Sequence, residues 1–183
     1  MDVTGGNGHR ATPPSRMSEA RFLDAFGWVY ENSPWVARAA FDRGLTVEHD
    51  DPAGLASLMA SVVAAAPDDT RLALLRAHPD LAGKLALAGG MTASSVDEQA
   101  GAGLDRCTPE ELAKFQDLNT RYTGKFGFPF ILAVRGHDRL EILRIFAERL
   151  GNTPDEEFAE ALRQVDRIAE LRIRDHFAAP PGE

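Results

Sequence analysis

Phe126-Gly127-Phe128-Pro129-Phe130-Ile131-Leu132-Ala133-Val134 is the stretch on which the fold class of this 183-residue chain turns. Its apolar run has the length of a buried strand, whereas everything around it reads as helix or turn. A strand needs a ladder partner, and no second run of that kind offers one. Pro129 would also remove a ladder donor. The segment is therefore expected to be an extended, buried connection. The chain is then all-α, a single-domain bundle of about eight helices with short connections.

Helix signals lie on both sides of it. Upstream, Thr108-Pro109-Glu110-Glu111 combines a cap, a proline at the first helical position and a glutamate placed for a capping box. Leu112, Phe115, Leu118 and Tyr122 form the stripe behind that start, and Gly124 is the expected stop. Downstream, Leu140, Leu143, Phe146, Ala147 and Leu150 mark a helix closed by Gly151-Asn152. Thr153-Pro154-Asp155-Glu156 then opens the last and longest one.

Nearer the N-terminus, Ser18 is an N-cap for a helix with Phe22, Phe26 and Val29 on one side. Ser33-Pro34 repeats the start signal, with Trp35, Ala39 and Ala40 expected inward until Gly44. Asp51-Pro52 opens a third helix carrying Leu55, Leu58, Met59 and Val62. A fourth is expected from Thr70 to Ala77, followed after Pro79 by a piece with Leu81, Leu85 and Ala88 that ends at Gly89-Gly90. Residues 1–16, rich in Gly, Pro, Ser, Thr and Asn, read as a disordered tail, 17–178 as the helical domain and 179–183 as a flexible end.

Bulk properties exclude some functions. A hydrophobic fraction of 44% with 26% charged residues is ordinary for a soluble domain. The formal net charge of −8 argues against nucleic-acid binding, which rests on neutralising phosphates. No stretch approaches a membrane span, and the opening residues lack the apolar run of a signal peptide. Cys107 is the only cysteine, so no intramolecular disulfide can form, and a reducing cytoplasm is the expected compartment. The five histidines show none of the paired spacings of a metal site, and there is no glycine-rich phosphate loop.

Chemistry-bearing residues stand in three other places. In Arg76-Ala77-His78-Pro79-Asp80-Leu81-Ala82 a helix runs into a histidine that a proline then stops. The negative end of that helix would favour the imidazolium and suit His78 to proton donation, although a helix-end histidine bonded to carbonyls reads the same way. Ser95-Val96-Asp97-Glu98-Gln99 fits a capping box, and equally a helix start at which Glu98 and Gln99 could hold a polar ligand. In the last helix Phe158, Leu162, Val165 and Ala169 define an apolar face, with Arg163, Arg167 and Arg174 opposite. Arg172 falls near that face, with His176 close to the same stripe. A core-facing arginine needs a partner, from protein or substrate, unless it snorkels to solvent. Composition and periodicity alone leave both an enzyme and a helical interaction module open.

Taken together, Ala77-His78-Pro79-Asp80-Leu81-Ala82-Gly83-Lys84, the Ser95-x-x-Glu98-Gln99 segment, Lys125-Phe126-Gly127-Phe128-Pro129-Phe130 and Ala161-Leu162-x-Gln164-Val165-x-x-Ile168-Ala169-Glu170-Leu171-Arg172-Ile173 resemble the decarboxylases of 2-oxo-4-hydroxy-4-carboxy-5-ureidoimidazoline (OHCU) in urate degradation. Val29-Tyr30-Glu31-Asn32-Ser33-Pro34-Trp35-Val36 resembles them too, and the similarity covers roughly residues 18–177. The resemblance implies an all-α single domain, a homodimer, that converts OHCU to (S)-allantoin without metal or organic cofactor. It implies His78, Glu98 and Arg172 as catalytic residues. Substrate contacts would come from Pro79, Ser95, Glu98 and Gln99, and from Phe130, Ile131, Leu132, Ala133 and Val134.

Overall fold

Several helix starts in this chain are fixed by side chains that take up the first free N–H groups. The structure, a computed structural model, describes residues 12–81, 97–98 and 100–179. Its α-helices include α1 (Glu19–Phe26), α2 (Trp35–Asp42), α3 (Pro52–Ala64), α4 (Asp68–Arg76), α5 (Pro109–Phe126), α6 (Arg139–Arg149) and α7 (Pro154–Ala178). There is no strand among the described residues, and Phe128–Val134 forms neither helix nor strand, so the chain is all-α as expected.

The described residues form two units. The first takes those up to Val29, Pro34–Ala65 and those from Ala169 onward. The second takes Tyr30–Ser33 and the described part of Ala66–Ile168.

In the first unit Ser18 Oγ accepts from the Arg21 N–H, and the α1 face buries Phe22 and Phe26. Asp51 caps α3 by accepting from the N–H groups of Ala53 and Gly54. Gly54 has to be glycine. A Cβ there would lie 1.9 Å from the main-chain oxygen of Glu48, in the 3-10 turn Val47–Asp50 packed against α3. That turn also holds the chain preceding α1: Ser15 donates from its N–H and its hydroxyl to Asp50, at 2.8 and 2.7 Å.

Two readings of this unit are corrected. Pro34, not Ser33, occupies the N-cap of α2, and no side chain caps it. The inward residues of α2 are Val36, Ala37 and Ala40, one position round from Trp35 and Ala39, which are half-buried.

The second unit is built on aromatic packing. Tyr122 of α5 meets Phe130 edge-on at 5.4 Å and Phe146 at 5.5 Å, and the last two rings stack at 3.8 Å. Both arms of the Thr108–Glu111 capping box are present. The α5 helix runs through Gly124 and ends at Gly127, whose φ of +76° is the left-handed C-cap conformation. Gly124 is therefore a helix-interior residue, not the stop. Helix α4 starts at Asp68, two residues ahead of the expected Thr70. Leu140, one of the residues that mark α6 in the sequence, is exposed, and the helix buries Ile142, Phe146 and Arg149. The piece expected over 82–90 lies outside the described residues.

Candidate active site

The turn after α4 presents His78. Ala77 is the C-cap, so the helix ends directly before the histidine, as the following proline requires. The His78 N–H donates to the Leu75 carbonyl at 3.2 Å. Its ring Nδ1 lies 3.3 Å from the Leu74 carbonyl, which can only accept, so Nδ1 carries the proton. Three side-chain hydrogen bonds fix this turn to other parts of the unit. Arg76 Nε donates to the Gly127 carbonyl at 2.8 Å, Asn32 Nδ2 to the Ala77 carbonyl at 3.1 Å, and Asn119 Nδ2 to the Leu81 carbonyl at 2.8 Å. Asn32 does so from a left-handed conformation, φ +49°, which asparagine tolerates better than most residues. His78 is 9% exposed, and Pro79 is half-buried.

The Arg76 bond ties the histidine turn to the start of the extended segment. Phe130, Ile131, Leu132 and Val134 are buried there, and Ala133 is half-buried. Buried main-chain groups require partners, and with no adjacent strand they find side chains. Arg149 Nη1 donates to the Ile131 carbonyl at 2.7 Å. The Ala133 N–H donates to Gln164 Oε1 at 3.0 Å.

Arg149 belongs to a buried polar cluster that was not singled out in the sequence. Its Nε donates to Glu157 Oε1 at 2.9 Å, and its guanidinium lies 4.6 Å from the centre of the Phe130 ring. Glu157 is fully buried and also accepts from the Tyr122 hydroxyl and from Asn152 Nδ2, the latter at 2.6 Å. Burial and the neighbouring carboxylate push the Tyr122 phenol up. The signal was available: Arg149 lies three residues after Phe146 on the buried face of α6, the same argument that singled out Arg172. Glu157 directly follows the Thr153-Pro154-Asp155-Glu156 helix start and was not singled out in the sequence.

A second tyrosine–carboxylate pair, Tyr30 Oη to Asp166 Oδ1 at 2.8 Å, was also missed. Burial raises the Asp166 carboxyl above its ordinary range, and the Tyr30 hydrogen bond pulls the other way. Burial with the Asp166 charge raises the Tyr30 phenol.

Arg172 stands in the first unit, 3% exposed, between buried Ala169 and Ile173, with Nη1 donating to the Val29 carbonyl at 3.2 Å. It is inward, as its angular position predicts, and does not snorkel. His176 is exposed and meets the Phe26 ring edge-on at 4.9 Å. Glu98 is half-buried, and its carbonyl accepts the Ala102 N–H at 3.3 Å. Ser95 and Gln99 lie outside the described residues. His78, Pro79, Glu98 and Phe130–Val134 thus belong to the second unit and Arg172 to the first. Among the described residues no group of three His, Cys, Asp or Glu side chains could hold a metal ion, and no helix is long and apolar enough to cross a membrane.

An all-helical chain with an inward arginine and a histidine–proline turn pinned beside a buried aromatic segment defines a class, and comparison with known proteins gives that class its name. The chain belongs to the OHCU decarboxylase family, whose model matches residues 15–174. It is 41% identical over 161 residues to the 2-oxo-4-hydroxy-4-carboxy-5-ureidoimidazoline decarboxylase of Halalkalicoccus jeotgali, covering 88% of each chain. Against the mouse (Mus musculus) protein of the same name the identity is 36%, over 89% of this chain and 90% of that one. Among solved structures, (S)-allantoin synthase is similar with a TM-score of 0.70 and 31% identity; the match covers 89% of this chain and 52% of that longer one. An OHCU decarboxylase crystallised in the presence of (S)-allantoin shares the fold, with a TM-score of 0.66 and 24% identity over 82% of this chain and 96% of that one.

Proposed function

We propose that this chain decarboxylates OHCU to (S)-allantoin in urate breakdown, with residues 17–178 as the catalytic domain and residues 1–16 and 179–183 outside the machinery. Family membership supports the reaction. The observation that carries the residue assignment is the His78 turn, held by Arg76, Asn32 and Asn119, because proton delivery to one face of a ring needs a fixed donor.

The bond from the substrate's ring carbon to its carboxylate breaks and CO2 leaves. The electron pair stays on the ring system, where hydrogen-bond donors stabilise it. His78 then supplies the proton that makes the stereocentre. With Nδ1 engaged by Leu74, that proton is carried on Nε2. Glu98 and Gln99, with Ser95, hold the hydroxyl and ring amides, Pro79 shapes the turn, and Arg172 orients anionic or carbonyl oxygens. Phe130, Ile131, Leu132, Ala133 and Val134 supply backbone contacts and an apolar wall that keeps water from the departing carboxylate. The residues named require no metal or organic cofactor in this scheme. The working form is a cytoplasmic homodimer.

The test is the decay of OHCU freshly generated from urate. Wild-type protein should accelerate it and yield optically active allantoin by circular dichroism, and His78→Ala should abolish the acceleration with helical content intact. An unchanged decay rate with folded wild-type protein would overturn the assignment.

A further inference from the structure

We propose that Gln164 of α7 is a positioning residue for substrate binding, acting through the main chain of Ala133. The inference rests on the decarboxylase reading, in which the backbone of Phe130–Val134 meets the substrate. Apolar packing buries this segment, but without strand partners the positions of its main-chain polar groups depend on the side chains that bond them. Two side chains do so, each from one of the two helices that follow it: Arg149 of α6 donates to the Ile131 carbonyl, and Gln164 Oε1 of α7 accepts the Ala133 N–H at 3.0 Å.

The orientation of the Gln164 amide follows from its two partners. A main-chain N–H can only donate, so the atom facing Ala133 is the oxygen. On its other side Gln164 Nε2 donates to Glu160 Oε1 at 2.7 Å, and a carboxylate can only accept. The neighbours therefore allow one amide orientation, and Glu160 one turn earlier holds it. Arg149 sits in a buried ion pair, so its loss would disturb the core. Gln164 is half-buried at the edge of the segment, and its removal leaves the core packing in place.

Gln164 touches no reacting atom in this scheme, so its loss acts on binding. The segment contacts substrate in ground and transition states alike, which moves KM and leaves kcat nearly unchanged. Three proteins are compared with wild type: Gln164→Met, which keeps shape and loses the acceptor; Gln164→Glu; and the exchange Gln164→Glu with Glu160→Gln. The exchange restores an acceptor for Ala133 and a donor–acceptor pair between positions 160 and 164.

The readouts are steady-state OHCU kinetics and hydrogen exchange at the Ala133 amide. Gln164→Met should raise KM about tenfold, by small misplacement of contact groups, and speed Ala133 exchange while thermal stability stays near wild type. The exchanged pair should return KM and exchange toward wild type, with Gln164→Glu alone in between. Wild-type KM in Gln164→Met, or an exchanged pair as impaired as Gln164→Met, overturns the positioning role while leaving the decarboxylase reading intact. A wild-type protein without OHCU turnover overturns that reading, and this role falls with it.

Discussion

The ring Nδ1 of His78 stands 3.3 Å from the main-chain oxygen of Leu74, four residues earlier in the chain. That contact adds a side-chain donor to the helix bonding: the imidazole shares the Leu74 carbonyl, at the C-terminus of α4, with the Ala77 N–H. It also fixes the tautomer. A side chain that copies the hydrogen bond without accepting and releasing a proton should therefore preserve the fold and lose the reaction. His78→Asn places an amide donor near Leu74 and should keep the circular dichroism spectrum and KM close to wild type. Its kcat should fall by about 10²–10⁴, the range for removal of a general acid. Retention of most of kcat would assign proton delivery elsewhere.

Asp166 gives a pH dependence with a definite sign. Burial raises its folded pKa above the unfolded value, so between those two values the folded state holds a proton that the unfolded state has released. Its contribution is fully present below the unfolded pKa and is lost as pH rises through the folded one. Asp166→Asn keeps an acceptor for the Tyr30 hydroxyl and carries no charge. It should be more stable than wild type at pH 7, with the difference shrinking as pH is lowered into the acid range, measured by urea unfolding at each pH.

The Arg149–Glu157 pair predicts strong non-additivity. Arg149→Met leaves a carboxylate buried with two neutral donors, Tyr122 and Asn152, and should cost about 3–5 kcal/mol. Combining it with Glu157→Gln removes the stranded charge and keeps a group that Tyr122 and Asn152 can bond. The double variant should unfold at higher denaturant than Arg149→Met alone. A double variant weaker than either single one would mean that the two residues act independently.

Two glycines three residues apart should respond oppositely to alanine. Gly124 lies inside α5 with open space around a Cβ, so Gly124→Ala should stabilise by about 0.5–1 kcal/mol. Gly127 ends the helix at φ +76°, where alanine is strained, and Gly127→Ala should destabilise by about 1–2 kcal/mol. Thermal melts of the two variants check the signs directly.

These glycines also show what the chain made legible. Local chemistry was readable: Thr108, Thr153, Asp51 and Ser18 start helices as their spacing predicts, because a cap depends on residues only a few positions away. The helix stop was not, since Gly124 and Gly127 both satisfy the composition rule. Tertiary contact decides between them, with Arg76 bonding the Gly127 carbonyl. Arg172 was found by its angle on an apolar stripe. Arg149 and Asp166 were missed because their partners, Glu157 and Tyr30, lie eight and 136 residues away. On the site side, His78 and the buried segment were placed by motif, but the side chains that anchor them come from Asn32, Asn119 and Gln164, which no spacing connects to either.

The extended segment Phe128–Val134 has one last consequence. A strand within a sheet can slide by two residues and still present the same face to the same neighbour, because the ladder offers an identical bond at every second position. This segment has no ladder to slide along. One guanidinium waits for the oxygen of Ile131 and one amide for the nitrogen of Ala133, and neither can be satisfied by the residue next in line without forfeiting the other. Its alignment is set by two unlike locks, not by a repeating rail, so a single-residue insertion between Phe130 and Val134 should be far more damaging than one in the exposed turn at Arg135–Gly136.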